Sequence, residues 1–202
     1  MAEGNISGAT GMRCFQFAGG IGTSSRILNA TDGGYTVGVL VQANFGARHQ
    51  LRIAGIPVGD QLKDDAIPKK SETGSIIIVI ATDAPLLPHQ LKRLARRAPL
   101  GLARTGSVAG NGSGDIFVAF STANNGAAKR DGTVQVTLLP NERMDPLFEA
   151  TVQATEEAII NALVAAKTMT GRDNNKAIAM PHDRVREILK KHNRLVETKD
   201  AK

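Results

Sequence analysis

Gly110-Asn111-Gly112-Ser113-Gly114-Asp115-Ile116-Phe117-Val118-Ala119-Phe120-Ser121 joins a loop with few side chains to a strand. The loop begins upstream, at Thr105-Gly106-Ser107-Val108-Ala109, and ends at one hydroxyl, Ser113. Asp115 to Ser121 then reads as a buried strand. Such a stretch has two readings. It is a glycine turn leading into a hairpin, or it presents a nucleophile and a peptide bond that can be cut.

Working outward, Ser75 to Thr82 is a near-continuous β-branched run and predicts a strand. Between these strands, Pro88 to Arg104 has helical spacing at Leu91, Leu94, Ala95 and Ala98, with Pro88 in the first turn. Pro99 predicts a kink or an early stop. Downstream, Thr133 to Leu139 alternates and is expected to pair with the strand that ends at Ser121. Pro146 to Thr170 predicts the longest helix, with Leu147, Ala150, Ala154, Ala158 and Ala162 on one small apolar face and Gly171 as its stop.

Toward the N-terminus, Met12 to Phe17 alternates and reads as a strand. Gly19 to Ser25 reads as a loop, with a strand beginning at Arg26-Ile27-Leu28. A phosphate cradle would need a helix after that loop. Asp32-Gly33-Gly34 marks a hairpin. Tyr35 to Asn44 is apolar almost throughout, as a strand covered on both faces would be. Leu51 to Gly59 suggests a short strand, and Gln61 to Thr73 an exposed loop. Ala177 to Met180 suggests another short strand. Arg184 to His192 predicts a helix with Val185, Ile188 and Leu189 inward, before a polar tail. Strands in groups followed by long helices argue for a layered α/β sandwich, sheets inside and helices outside.

Composition narrows the class. A chain of 202 residues permits one large domain or two small ones, and buries roughly 70% of its unfolded surface. Aromatic residues are only 3%, so the core must be built from Ile, Val, Leu and Ala. The net charge of +6 is split between Lys92-Arg93-Arg96-Arg97 and the C-terminal segment, without interleaved aromatics. That reads as a basic surface rather than a nucleic-acid interface. Cys14, the single cysteine, cannot form an internal disulfide and sits in strand-like sequence as a buried thiol. No apolar run approaches the roughly 18 residues of a membrane span. Met1-Ala2-Glu3-Gly4-Asn5 has no charged-then-apolar signal pattern, and a cytoplasmic location is expected.

The chemistry narrows further. His49, His89, His182 and His192 lack metal-ligand spacing. Gly112-Ser113-Gly114 lacks the frame of a nucleophile elbow, and the order loop, serine, strand is the reverse of that motif. A serine at a strand's start suits another solution. If the bond before it breaks, its own α-amine, with an ordinary pKa of about 7.7–8.0, can act as base. Glycine at 112 would tolerate the strained backbone that self-cleavage needs. Asn44, at the end of a buried strand, is either a cap for loop backbone or an oxyanion donor.

Gly110 to Asn124 closely resembles the self-cleaving region of the L-aminopeptidase/D-amidase/D-esterase family (S58-like peptidases), which includes the β-peptidyl aminopeptidases. Further matches are Glu3-Gly4-Asn5 with Gly8-Ala9-Thr10-Gly11-Met12, then Gly19 to Arg26, Val39 to Gly46, Ala81 to Leu86, and Ala154-Thr155-Glu156-Glu157-Ala158. The resemblance covers nearly the whole chain. It implies a four-layer αββα sandwich, similar to N-terminal-nucleophile hydrolases but with different connectivity. It implies self-cleavage between Gly112 and Ser113 within a single domain spanning residues 1–202, giving 1–112 and 113–202.

On this resemblance Ser113 is the nucleophile of an aminopeptidase acting on peptides, amides or esters with a free amino group. No metal or organic cofactor is implied, nor any nucleic-acid or membrane partner. Homo-oligomers of two-chain units are expected. The family also uses a hydroxyl and a glutamate two residues apart, for which Thr155 and Glu157 are the match. Residues i and i+2 on a helix point about 200° apart, so Glu156 stays open as the carboxylate. The family's precursors are longer at the N-terminus, so the sandwich is expected to be incomplete here, and any targeting signal would lie in that part. Two other readings are an ornithine acetyltransferase-like acyl transferase, which normally uses threonine where Ser113 stands, and a non-catalytic truncated homologue.

Overall fold

The computed structural model describes residues 1–64 and 74–196. The element that shapes it is a four-stranded sheet of order β3-β4-β5-β6, where β3 is Gly20–Ile27, β4 Thr36–Asn44, β5 Ser75–Thr82 and β6 Ile116–Ser121. A two-strand ribbon, β1 (Arg13–Cys14) and β2 (Phe17–Ala18), precedes it. The strand β4 runs antiparallel to both of its neighbours, β3 and β5, and β6 joins β5 in parallel. Parallel partners cannot be joined by a tight hairpin and need a crossover. Here it carries α1 (Pro88–Ala95) and α2 (Ala98–Arg104). The break between them falls just before Pro99, as its sequence position predicts.

The period-two pattern of the strands sorts side chains onto two unlike faces. One face holds Val37, Val39, Val41, Ala43, Ile76, Ile78 and Ile80, all buried. It is covered by α3 (Asp145–Ala165), which packs on β3, β4 and α2, while α1 covers β6. Ala150, Ala154, Ala158 and Ala162 of α3 are buried, as their spacing predicts. Small residues on the helix are matched by glycine on the strand. A Cβ on Gly22 would fall 1.9 Å from the Ala158 carbonyl oxygen and 2.6 Å from the Ala162 nitrogen, so helix and strand meet backbone to backbone.

The other face carries Ile77, Ile116, Val118 and Phe120, brought side by side by the β5–β6 register and left exposed. Of the four layers expected, the described residues supply one sheet and one helical layer. The strand β4 therefore alternates buried and half-buried residues instead of being covered equally on both faces.

Several local expectations are corrected. Gly19 to Ser25 is not a loop: the strand starts at Gly20, and the glycines admit close neighbours instead of a turn. Met12 to Phe17 is not one strand, because Phe15 and Gln16 turn the ribbon with φ of 48° and 64°. Arg48, itself buried, donates from Nε to the Phe15 carbonyl (3.0 Å) and from Nη2 to the Gln16 carbonyl (3.1 Å). A left-handed turn without glycine is thus held by a buried guanidinium.

Leu51 to Gly59 forms only an isolated bridge, Ile53 to Ile56, and a 3₁₀ turn. Thr133 to Leu138 has no ladder partner among the described residues, although the side chain of Asn124 clasps Thr137 through both its oxygen and its nitrogen. The helix α3 stops at Ala165, well before Gly171. Ala177 belongs to a short ribbon of β7 (Met169–Thr170) with β8 (Lys176–Ala177), and the last helix, α4 (His182–Lys191), buries Val185. The loop expected over Gln61 to Thr73 lies mostly outside the described residues.

Two of the basic residues on α1 and its exit are engaged. The Arg97 guanidinium stacks 3.9 Å above the Phe148 ring, and Arg93 lies 5.3 Å from it while bonding Asn141. Gly22→Ala would force α3 away from β3. Urea unfolding should then show a loss of about 1–3 kcal/mol, and an unchanged midpoint would refute the backbone contact.

Candidate active site

Thr105, buried at the end of α2, caps the preceding turn through a 2.7 Å bond from its hydroxyl to the Leu102 carbonyl. Its own carbonyl accepts the Arg52 N–H at 2.8 Å. Gly106 follows at φ 104°, where a Cβ would meet the Gln50 carbonyl oxygen at 1.8 Å. The root of the loop is therefore fixed against residues 50–52. Beyond it, Ala109 takes φ 46° while the Ser107 hydroxyl accepts its N–H at 3.2 Å. The positive-φ residues of this loop are Gly106 and Ala109. Gly112, expected to carry the strain, is not among the positive-φ positions.

Ser113 N–H donates to the Gly110 carbonyl at 2.8 Å, closing a turn whose exposed tip is Asn111-Gly112. The Gly112–Ser113 peptide bond lies in that turn. Immediately after it, Gly114 N–H donates to the Ser75 hydroxyl at 2.9 Å, and Ile76 N–H donates to the Asp115 carboxylate at 3.0 Å. The parallel ladder begins just beyond, at Ile77 and Ile116.

The β3-β4-β5-β6 order also places Asn44 at this end of the sheet, directly opposite Ser75. Its side-chain oxygen accepts the Arg13 N–H at 3.0 Å, so the capping role read from sequence is realised. Beside Ser113 lies an open hollow of about 520 Å³. Its walls include Pro99, Leu102 and Ala103 from α2, Val108 from the loop and Phe117 from β6, with Asp115 at the rim.

The residues of α3 divide as helical geometry requires. Thr155 is buried against Gly101 of α2, and its hydroxyl has no hydrogen-bond partner among the described residues. Glu156 pairs with Arg104 of α2 at 3.2 Å. Glu157 turns to the other side, where the Ser24 hydroxyl donates to it at 2.8 Å and Arg26 pairs with it at 2.5 Å. Both of those partners are on β3, the opposite sheet edge from β6. Three strand spacings separate those edges, roughly 14 Å at about 4.8 Å each.

Thr155 and Glu156 therefore face the helix that walls the hollow, and Glu157 does not. Burial opposes the charge on Glu157, but the Ser24 hydroxyl and the Arg26 guanidinium outweigh it and hold the carboxyl below its ordinary value of 4.5. Sequence reasoning missed Ser75 and Arg104. The signal for Ser75 was its place at the head of the strand that pairs with β6.

With that geometry in view, comparison with known proteins identifies the lineage. The family model of peptidase family S58 matches residues 1–177, and the chain belongs to that family. It is 51% identical over 214 aligned residues to the β-peptidyl aminopeptidase BapA of Sphingosinicella microcystinivorans, covering 98% of this chain and 54% of that protein. Among solved structures, the PH0078 protein from Pyrococcus horikoshii OT3 matches with TM-score 0.89 and 49% identity, over 96% of this chain and 54% of that one. The L-aminopeptidase D-Ala-esterase/amidase of Ochrobactrum anthropi matches with TM-score 0.88 and 44% identity, over 97% and 54%. That enzyme is described as a prototype of the serine aminopeptidases and a new variant of the Ntn-hydrolase fold. Those matches are to the Ntn-hydrolase-like fold the resemblance implied, of which the described residues supply two layers, and the chain spans about half the length of the curated relatives it matches.

The Glu157 cluster has a pH signature. A depressed folded-state pKa means its contribution to stability is full above the unfolded value, near 4.5, and is lost as pH falls through the folded value. In acid unfolding curves, Glu157→Gln should flatten the loss of stability below that pH. An unchanged acid limb would contradict the ion pair.

Proposed function

We propose that this chain carries the nucleophile of a serine aminopeptidase and cuts itself before Ser113. The observation that carries the reading is the Gly110–Ser113 turn. It exposes the Gly112–Ser113 peptide bond beside an apolar hollow and ends on a serine whose N–H is held by the Gly110 carbonyl, three residues before β6.

In the first stage the Ser113 hydroxyl attacks the Gly112 carbonyl carbon. The C–N bond breaks, the hydroxyl proton passes to the Ser113 nitrogen, which becomes an amine, and an ester joins Gly112 to the serine oxygen. Water hydrolyses that ester, leaving a carboxylate on Gly112 and a free α-amine on Ser113. In the second stage this amine takes the hydroxyl proton as the serine oxygen attacks a substrate carbonyl. The proton passes to the departing amine or alcohol, and water then releases the acyl group. An amine with an ordinary pKa of about 7.7–8.0 suits both transfers near neutral pH.

On this reading the substrates are peptides, amides or esters with a free amino group, and the hollow receives an apolar substrate side chain. The uncovered apolar sheet face gives a reason for association, and a homo-oligomer of two-chain units belongs to the same proposal. The relatives named above are aminopeptidases or amidase/esterases where their names state an activity, and an acyl-transferase reading finds no support among them.

Intact mass and a denaturing gel test the first stage. Wild type should give fragments 1–112 and 113–202, and Ser113→Ala a single chain of 21.3 kDa. One uncut chain from both would sink self-cleavage. Ala103→Phe, which narrows the hollow, should lower kcat/KM about tenfold for substrates with bulky apolar residues and change alanyl substrates much less. An equal effect on both would remove the hollow from substrate selection.

A further inference from the structure

The parallel ladder of the β5–β6 pair starts at Ile116, so Ser113, Gly114 and Asp115 extend beyond it. Before any cleavage the first of these is held by its N–H bond to the Gly110 carbonyl. That bond comes from the segment on the far side of the Gly112–Ser113 linkage. Once the linkage is broken, Ser113 becomes a chain terminus followed by a glycine, and such ends fray unless something ties them. A nucleophile displaced by an ångström loses catalysis on the order of a hundredfold, so the tie matters to the reaction.

We infer that Ser75 is the positioning residue that supplies this tie, an inference that rests on Ser113 being the nucleophile. Its hydroxyl accepts the Gly114 N–H at 2.9 Å, which makes it the side-chain contact nearest to Ser113 along the chain that does not depend on the departing loop. The contact is one of a crossed pair. The Asp115 carboxylate of the other strand accepts the Ile76 N–H at 3.0 Å, so each strand head is bonded by a side chain of its neighbour.

Ser75 is itself anchored from behind. It stands opposite Asn44, whose side-chain oxygen is held by the Arg13 N–H. The residue before it, Gly74, passes where a Cβ would come within 2.1 Å of the Asn44 carbonyl oxygen. Position 75 therefore has little freedom to move, and a hydroxyl there reaches the Gly114 amide from a fixed base. Alanine would keep the strand and remove the acceptor, and threonine would keep both.

The test uses Ser75→Ala and Ser75→Thr in the full chain. Ser75→Ala should lower kcat about tenfold with KM within about twofold and a thermal midpoint close to wild type. Ser75→Thr should restore kcat. A second arm needs no activity. In the uncut Ser113→Ala background, adding Ser75→Ala should speed hydrogen exchange of the Gly114 amide by about tenfold or more and leave that of Val118 unchanged. Unchanged Gly114 exchange would overturn the inference, as would a loss of kcat that threonine fails to restore. Failure of the Ser113 reading shows separately, as cleavage or turnover that survives Ser113→Ala.

Discussion

The close approach of α3 to β3 sets the geometry of everything else. Where a helix normally rests on a sheet through interleaved side chains, here a glycine on the strand and a row of alanines on the helix let the two backbones touch. The contact fixes α3 at one edge of the sheet. From there α3 supports α2, α2 supports the root of the glycine loop, and the loop delivers Ser113 to the opposite edge. A chain with few aromatic residues depends on such close contacts to fill its interior.

The same arrangement explains why the Ser113 end of the sheet is stiff although its sequence looks loose. Small residues dominate from Thr105 to Gly114, yet several are pinned: Thr105 to α2, Gly106 against Gln50, Gly114 to Ser75. Glycine in this protein marks crowding more often than freedom. In this stretch the exposed tip is Asn111-Gly112, and it is where the bond in question lies.

That distinction also shows what was legible in the sequence. The long β-branched strands, the α3 face and the break before Pro99 follow from local periodicity and proline geometry, and all are present. Gly19 to Ser25 was misread because composition cannot tell a glycine that turns from a glycine that makes room, and the helix requiring the room lies more than a hundred residues away. Phe15-Gln16 was missed because its turn is held by Arg48, a distant side chain. At the site, Ser113 stood out from its neighbours and from family resemblance. Ser75 did not, since only the parallel register sets it beside Gly114. Thr155 and Glu157 are paired on the family resemblance, with Glu156 open on helix geometry, and the helix turns Glu157 to β3 and Glu156 to Arg104.

The crossover from β5 to β6 has a consequence for the order of events in the life of the molecule. It is a covalent tether, and the Gly112–Ser113 bond lies within it. While the tether is whole, the two strands search for each other within one chain, at a high effective concentration. A break would turn the same ladder into an association between two separate peptides. The downstream piece would then stay in place through β6 on β5 and α3 on β3 and β4, contacts that exist only after folding. A break made after assembly would leave both pieces held by these contacts, and a break made before it would remove the connection that makes assembly fast.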